Sequence, residues 1–412
     1  MQHWPKPIKY IYKRVKNPFA KLNLYIKQKM GWLGNPKILP YISFGNQTNL
    51  YVRGRIVEAR ELTISDKDQS IWNNIYAMLK RYISNEIPHV KLKAEFNGQI
   101  QYAESNEYGE FEFNFVLLKP LPQGQIWHMV PITLIDEAFC DTTCEMAVAE
   151  VMVSIPESQY GIISDIDDTI LISHSTSLLK KLRLMLLKNA TTRLPFEGVA
   201  AFYRALHSGG QDNHALNPLF FVSSSEWNLY DLLLDFCKHQ NIPKGMFLLH
   251  DLKVGLLKLF RSGRGKHDHK ILKIKHILAI FQKLDFILIG DSGQKDPEIY
   301  QSIIEQYPDR IKAVYIRDVG SKSRHREVKQ ISEKIFQNYN VDMLMVKDTE
   351  AAALHALDKG WITSTTLLDI ARERYKDQYS QSRLINILKG NTQKKIFSQP
   401  KEEVIQDISI KL

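Results

Sequence analysis

The spacing of hydrophobic and polar positions changes near residue 158. Before it, "LYVRGRIV" (50–57), "VKLKAEF" (90–96), "GEFEFNFVL" (109–117), "WHMVPITLI" (127–135) and "EMAVAEVMVSI" (145–155) alternate or are rich in β-branched and aromatic residues. Such stretches predict half-buried strands. Turn-prone pieces separate several of them: "NGQ" (97–99), "SNEYG" (105–109) and "PLPQG" (120–124). One helix is predicted over 69–83, where Ile71, Ile75, Met78, Leu79 and Tyr82 share a face. The expected form for 46–157 is a small antiparallel β-sandwich. It holds no catalytic constellation.

After residue 158, short apolar runs alternate with helix-length segments. Strands are predicted at 160–167, 219–225, 247–250, 285–292, 312–318 and 342–348. Helices are predicted over 196–208, 227–240, 268–283, 296–306, 324–338 and 350–358. This alternation implies an α/β domain over 158–375, a Rossmannoid parallel sheet with helices on both faces. Residues 376–412 lack a core pattern and read as a C-terminal tail.

Composition adds limits. The 412 residues are 44% hydrophobic and 24% charged, as in a soluble globular protein. No apolar run approaches the ~20 residues of a spanning helix. The start has no apolar core of signal-peptide type. Cys140, Cys144 and Cys237 are too few for a disulfide framework. Cys140 and Cys144 lack a second pair to complete a metal site. A cytoplasmic location is expected.

Net charge is +10 and uneven. Residues 1–45 form a basic arm carrying Lys6, Lys9, Lys13, Arg14, Lys16, Lys21, Lys27, Lys29 and Lys37, with Trp4, Tyr10, Tyr12, Phe19, Tyr25 and Trp32 interleaved. Pro5, Pro7, Pro18, Pro36 and Pro40 interrupt it. Such an arm suits an anionic membrane surface or a nucleic acid, and equally a solvated segment with no partner.

The α/β half carries the chemistry. Ligands of an open parallel sheet bind beyond the carboxyl ends of its strands. The first strand runs into Asp165, Asp167, Asp168 and Thr169, the second into Ser223, Ser224 and Ser225, and the fourth into Gly290, Asp291 and, further on, Asp296. Between the second and fourth lies "RSGRGKHDHK", ending in His269 and Lys270. Clustered carboxylates after a buried strand need compensation, and a divalent cation supplies it. A carboxylate can take a phosphoryl group as nucleophile once a cation neutralises both partners. Mg²⁺ prefers oxygen ligands, which Asp165 and Asp291 can supply. Asp167, two residues on, points the same way in an extended segment and can move the proton. Ser223 and Lys270 can bind phosphoryl oxygens.

An apolar strand ending in DxDxT, a strand ending in Ser, a Lys and a GDxxxxD element, in that order, resemble the haloacid-dehalogenase-like phosphohydrolase superfamily. Within it, "GIISDIDDTI", "TRLPFEGVAAFYRAL", "FFVSSSEWNLYDLL", "FILIGDSGQKDPEIY" and "DTEAAALHALDKGWI" look like the actin-patch type of Mg²⁺-dependent phosphatidate phosphatase, related to the lipins. The likeness spans about 145–375. It implies an enzyme that hydrolyses phosphatidate to diacylglycerol and phosphate through an aspartyl-phosphate. It also implies that Asp165 is the nucleophile and Asp167 the acid/base. The metal is Mg²⁺, held by Asp165, Asp291 and the Asp167 carbonyl. Ser223 and Lys270 bind phosphate, and Asp296 is the second acid of the metal motif, at the metal or behind it. Lipins have Gly where this chain has Asp168, and Glu226 stands where Pro is expected in "SSSPW". No proline-rich tail of the fungal kind follows, so cytoskeletal partners are not implied.

Between Thr169 and residue 196, Leu178, Leu179, Leu182, Leu186 and Leu187 share a helical face beside Lys180, Lys181, Arg183 and Lys188. This is either a basic amphipathic helix that docks on anionic lipid or a cap helix packed on the core. His267, His269 and His276 lie close together, but a cation of this type favours oxygen. Three readings stand: a peripheral phosphatidate phosphatase, a phosphatase of a soluble phosphomonoester, and a nucleic-acid-binding protein using the arm. The complete acidic set favours the first two, and nucleic acid is not the expected partner.

Overall fold

The computed structural model describes residues 36–58, 86–137, 139, 144–166, 198–210, 217–250 and 268–375. The helices expected at 69–83 and around 176–188, together with Asp167, Asp168 and His267, lie outside the described residues. So do most of the arm and the tail.

The first unit is an eight-stranded sheet built from β1 (Pro36–Pro40), β2 (Ser43–Gly45), β3 (Asn49–Glu58), β4 (Lys91–Phe96), β5 (Gln99–Glu104), β6 (Glu110–Val116), β7 (Trp127–Leu134) and β8 (Met146–Val153). Its pairings are antiparallel except β2 with β8. The alternation in "EFEFNFV" buries Phe111, Phe113 and Phe115 on one face. They meet Leu92 and Ala94 of β4, Val130 and Ile132 of β7 and Val151 of β8 in one core. The strands expected as a sandwich are thus hydrogen-bonded into one sheet.

Three strands depart from the sequence expectation. β1 and β2 lie inside the stretch assigned to the basic arm, so the sheet begins at Pro36. Pro36 and Pro40 are compatible with β1 because it pairs along β3 at the end of the strand order, where missing donors cost little. β5 follows the "NG" of the expected turn without a gap. Asn97 and Gly98 have φ of 48° and 77°, and Phe96 pairs with Gln99. Positive φ at both central positions is what a tight hairpin requires.

The second unit is a six-stranded, all-parallel sheet of β9 (Gly161–Ser164), β10 (Leu219–Glu226), β11 (Met246–His250), β12 (Phe286–Asp291), β13 (Ile311–Arg317) and β14 (Asp342–Val346). Its order is β11-β10-β9-β12-β13-β14. Among the described residues, six helices flank it: α1 (Val199–Ser208), α2 (Tyr230–His239), α3 (Asp268–Ile280), α4 (Asp296–Gln306), α5 (Lys322–Tyr339) and α6 (Thr349–Asp358). Helical residues 364–375 follow, which the sequence pattern did not mark. The apolar strands bury alternate residues on both faces. Ile162, Phe221 and Ile289 pack with α1, α2 and α6, while Ile163, Phe220 and Leu288 pack with α3, α4 and α5. Chain direction through the sheet reverses between β9 and β12, the switch point where a crevice opens at the carboxyl edge.

The two units share their cores. Tyr41 stacks on Trp227 with ring centroids 4.1 Å apart, and Phe44 meets Phe220 edge-on at 5.4 Å. The Ile42 N–H donates to Tyr230 Oη at 2.7 Å, and Asn46 Nδ2 donates to the Ile280 carbonyl at 2.7 Å. Arg53 lies over the Trp227 ring at 5.3 Å. Tyr41, in the break between β1 and β2, and Phe44 of β2 thus reach into the second unit. Cys144 is disulfide-bonded, which the sequence reading did not anticipate, and Cys237 is a buried free thiol. No helix among the described residues is long and apolar enough to cross a membrane.

Candidate active site

The site is built where β9 and β12 end side by side. The Asp165 N–H donates to the Ile289 carbonyl at 2.9 Å, extending the ladder one residue past β9. That bond fixes Asp165 beside the end of β12, where Asp291 is the last strand residue. Asp296 opens α4 and turns back toward the strand. Its Oδ2 accepts from the Asp291 N–H at 3.2 Å. This return needs Gly290: a Cβ there would lie 2.7 Å from the Asp296 Cβ and Oδ2. Asp165, Asp291 and Asp296 each place a carboxylate oxygen within 4.8 Å of the others, and all three are buried.

Lys270, in the first turn of α3, reaches into this cluster. Its Nζ donates to Asp165 Oδ1 at 2.9 Å and to Asp296 Oδ1 at 2.8 Å. Burial opposes its charge, but the carboxylates of Asp165 and Asp296 outweigh burial and hold it firmly protonated. Among the described residues, Lys270 brings one positive charge to these three buried carboxylates. The oxygen-only donor set fits a hard divalent cation.

Ser223 lies on β10, next to β9. Phe221 pairs with Ser164, so Ser223 falls at the same sheet edge as Asp165. The residue is buried and its carbonyl accepts from Lys273 Nζ at 2.9 Å. The β10–β11 register shifts there: Val222 pairs with Leu248 and Glu226 with His250. A bulge at a strand end re-aims the residues in it. Asp167 and Asp168 lie outside the described residues. Of the three histidines close in sequence, His276 packs against Tyr51 and Phe44 at 4.5 and 5.8 Å, outside the acidic cluster's ligand set. Burial is the main cause that depresses its basicity.

Sequence reasoning passed over four contributors. Gln294 Nε2 donates to Asp165 Oδ2 at 3.2 Å, and the Gln294 N–H donates to Asp291 Oδ1 at 2.8 Å. Arg324 of α5 donates to the carbonyls of Ser292 and Gln294, both at 2.9 Å, and grips Glu298 with two nitrogens. Ser164 and Tyr203 share a 2.6 Å hydroxyl contact directly behind Asp165, and Ser164 Oγ donates to the Asp165 carbonyl at 2.8 Å. Gln294 lies between the two acids of the fourth-strand motif, which is the one signal that could have found it. The others depend on contacts between distant segments.

The crevice defines an α/β unit with a buried, cation-compatible carboxylate cluster at its switch point. Residues 160–318 match the family model described as the catalytic domain of phosphatidate phosphatase APP1. Phosphatidate phosphatase APP1 of Saccharomyces cerevisiae is 30% identical over 195 residues, which are 46% of this chain and 32% of that protein. Uncharacterized protein C29B5.04c of Schizosaccharomyces pombe is 26% identical over 257 residues, which are 62% of this chain and 39% of that protein. The chain thus spans about a third of the length of these curated relatives. Residues 312–406 also match the model of the Borrelia burgdorferi attachment protein P66; the described part of that stretch, from β13 onward, belongs to the same parallel sheet and its helices. Among solved structures, a carbohydrate acetylesterase from Xanthomonas citri, XAC1771, is 10% identical with a TM-score of 0.29, covering 76% of this chain and 68% of that one. That likeness is too low to carry an argument.

Proposed function

We propose that the chain is a Mg²⁺-dependent phosphatidate phosphatase that releases diacylglycerol and phosphate through an aspartyl-phosphate on Asp165. The observation that carries this reading is the buried cluster of Asp165, Asp291 and Asp296 bound by Lys270, inside the segment that matches the APP1 catalytic domain.

Asp165 and Asp291, with the Asp167 carbonyl, would hold the cation. Once bound, the cation would offset the charge of the carboxylate and of the incoming phosphate. A carboxylate oxygen of Asp165 forms a bond to phosphorus as the bond from phosphorus to the glycerol oxygen breaks. The Asp167 carboxyl gives its proton to that leaving oxygen. Asp167, now a carboxylate, takes a proton from water as the water oxygen bonds to phosphorus and the Asp165–phosphorus bond breaks. Lys270 supplies a fixed positive charge beside the transferring group, and the Ser223 hydroxyl supplies a hydrogen bond. With both Asp296 oxygens engaged by Lys270 and the Asp291 N–H, its role is to anchor those two groups. The substrate lies at a bilayer surface, so the protein binds membranes peripherally, through the basic arm and the segment around 176–188.

Phosphate release from a panel of phospholipids and soluble phosphomonoesters, with and without Mg²⁺, tests the reading. Preference for phosphatidate with strict Mg²⁺ dependence supports it. A preference for soluble esters replaces it with the soluble-substrate reading, and no release from any ester leaves binding through the basic arm as the function.

A further inference from the structure

Gln294 touches three members of the cluster at once. Its Nε2 donates to Asp165 Oδ2 at 3.2 Å, its Oε1 lies 3.5 Å from Lys270 Nζ, and its backbone N–H donates to Asp291 Oδ1 at 2.8 Å. A carboxylate only accepts and an ammonium only donates, so the amide has one consistent orientation between them. The backbone of Gln294 is fixed in turn, because its carbonyl accepts from Arg324 at 2.9 Å. Lys270 holds the other Asp165 oxygen, Oδ1, at 2.9 Å. With one donor on each oxygen, rotation of the Asp165 carboxylate about its last bond is restrained.

From this geometry we infer that Gln294 is a positioning residue that aims the Asp165 carboxylate at phosphorus. The inference rests on the reading of Asp165 as nucleophile. The chemistry calls for a neutral donor. Lys270 already places one cation on Asp165; a second lysine here would blunt its nucleophilicity further, while a glutamate would add a further negative charge against Asp165 and the incoming phosphate. A glutamine orients the carboxylate without neutralising it, and the span from the Asp291 loop to Asp165 matches its length.

The test compares the full chain with Gln294→Leu, which keeps the volume but not the bonds, and Gln294→Glu. Steady-state kinetics use a small soluble phosphomonoester and phosphatidate micelles in Mg²⁺. Gln294→Leu should lower kcat by about 10- to 100-fold, the scale of a misaimed reacting group, with KM within about threefold. Gln294→Glu should be slower still. The thermal midpoint of Gln294→Leu should stay within a few degrees of wild type, and its rise on adding Mg²⁺ should persist, because the glutamine is not a ligand. A Gln294→Leu variant within about twofold of wild-type kcat overturns the inference. So does a loss of kcat that tracks a fall in thermal midpoint, which would mark a packing role. A wild-type chain silent on every phosphomonoester overturns the nucleophile reading and this inference together. An active wild type with an equally active Gln294→Leu overturns this inference alone.

Discussion

Lys270 Nζ lies 2.9 Å from Asp165 Oδ1, with both side chains at most 5% exposed. The second carboxylate on the same ammonium, Asp296, is completely buried. A pair sealed this way holds its geometry, and each partner is costly to remove alone.

Lys270→Met should therefore be strongly destabilising in the absence of metal, by roughly 3–5 kcal/mol, because two buried carboxylates lose their cation. Chemical denaturation of the chelated protein measures this. A change under about 1 kcal/mol would mean the carboxylates do not depend on Lys270.

Gly290→Ala tests the close return of Asp296. The new methyl would press on the Asp296 Cβ and Oδ2 at 2.7 Å. Overpacking of that kind costs about 1–3 kcal/mol. A lowered thermal midpoint together with a lowered kcat is expected, since Asp296 anchors both Lys270 and the Asp291 backbone.

Tyr41→Ala probes the join between the two units. It removes the ring stacked on Trp227, just beyond the end of β10 that carries Ser223. Loss of a buried aromatic of this size costs about 3–5 kcal/mol. Limited proteolysis should cut the variant between the units faster than wild type. Equal cutting would show that the Tyr41–Trp227 contact contributes little to the join.

Membrane docking should be electrostatic. Exposed charges are screened beyond about 8 Å at physiological ionic strength. Sedimentation with anionic vesicles should therefore weaken as salt rises, and neutral vesicles should bind less. Replacing Lys180, Lys181 and Arg183 by Gln should lower turnover of vesicle-borne phosphatidate while sparing a small soluble ester. An equal fall on both substrates would assign that segment a packing role.

Much of the α/β unit was legible because its strands are short, mostly apolar runs bounded by helix-length polar patterns, as in "FILIGD" of β12. Helix starts slipped by up to three residues: α1 opens at Val199 and α2 at Tyr230. Ser321 accepts from the Arg324 N–H and starts α5 before the expected position. β1 escaped notice because its prolines and Lys37 read as arm, and edge pairing with β3 is invisible without the partner. The acids and Lys270 stood out as charged residues at strand ends and in a motif order. Gln294 carries no charge, and its value comes from the meeting of α3, β9 and the β12–α4 turn. Arg324 acts from α5, and nothing local ties it to the Asp291 loop.

The most direct test of the central claim is turnover of phosphatidate by purified wild type and Asp165→Asn, each in Mg²⁺ and in excess chelator. An amide keeps the shape of the side chain but is a poor nucleophile. The expected result is phosphate release by wild type in Mg²⁺, none in chelator, and a loss of more than about a thousandfold in Asp165→Asn with its fold intact. Near wild-type turnover by Asp165→Asn, or full turnover by wild type in chelator, would contradict it.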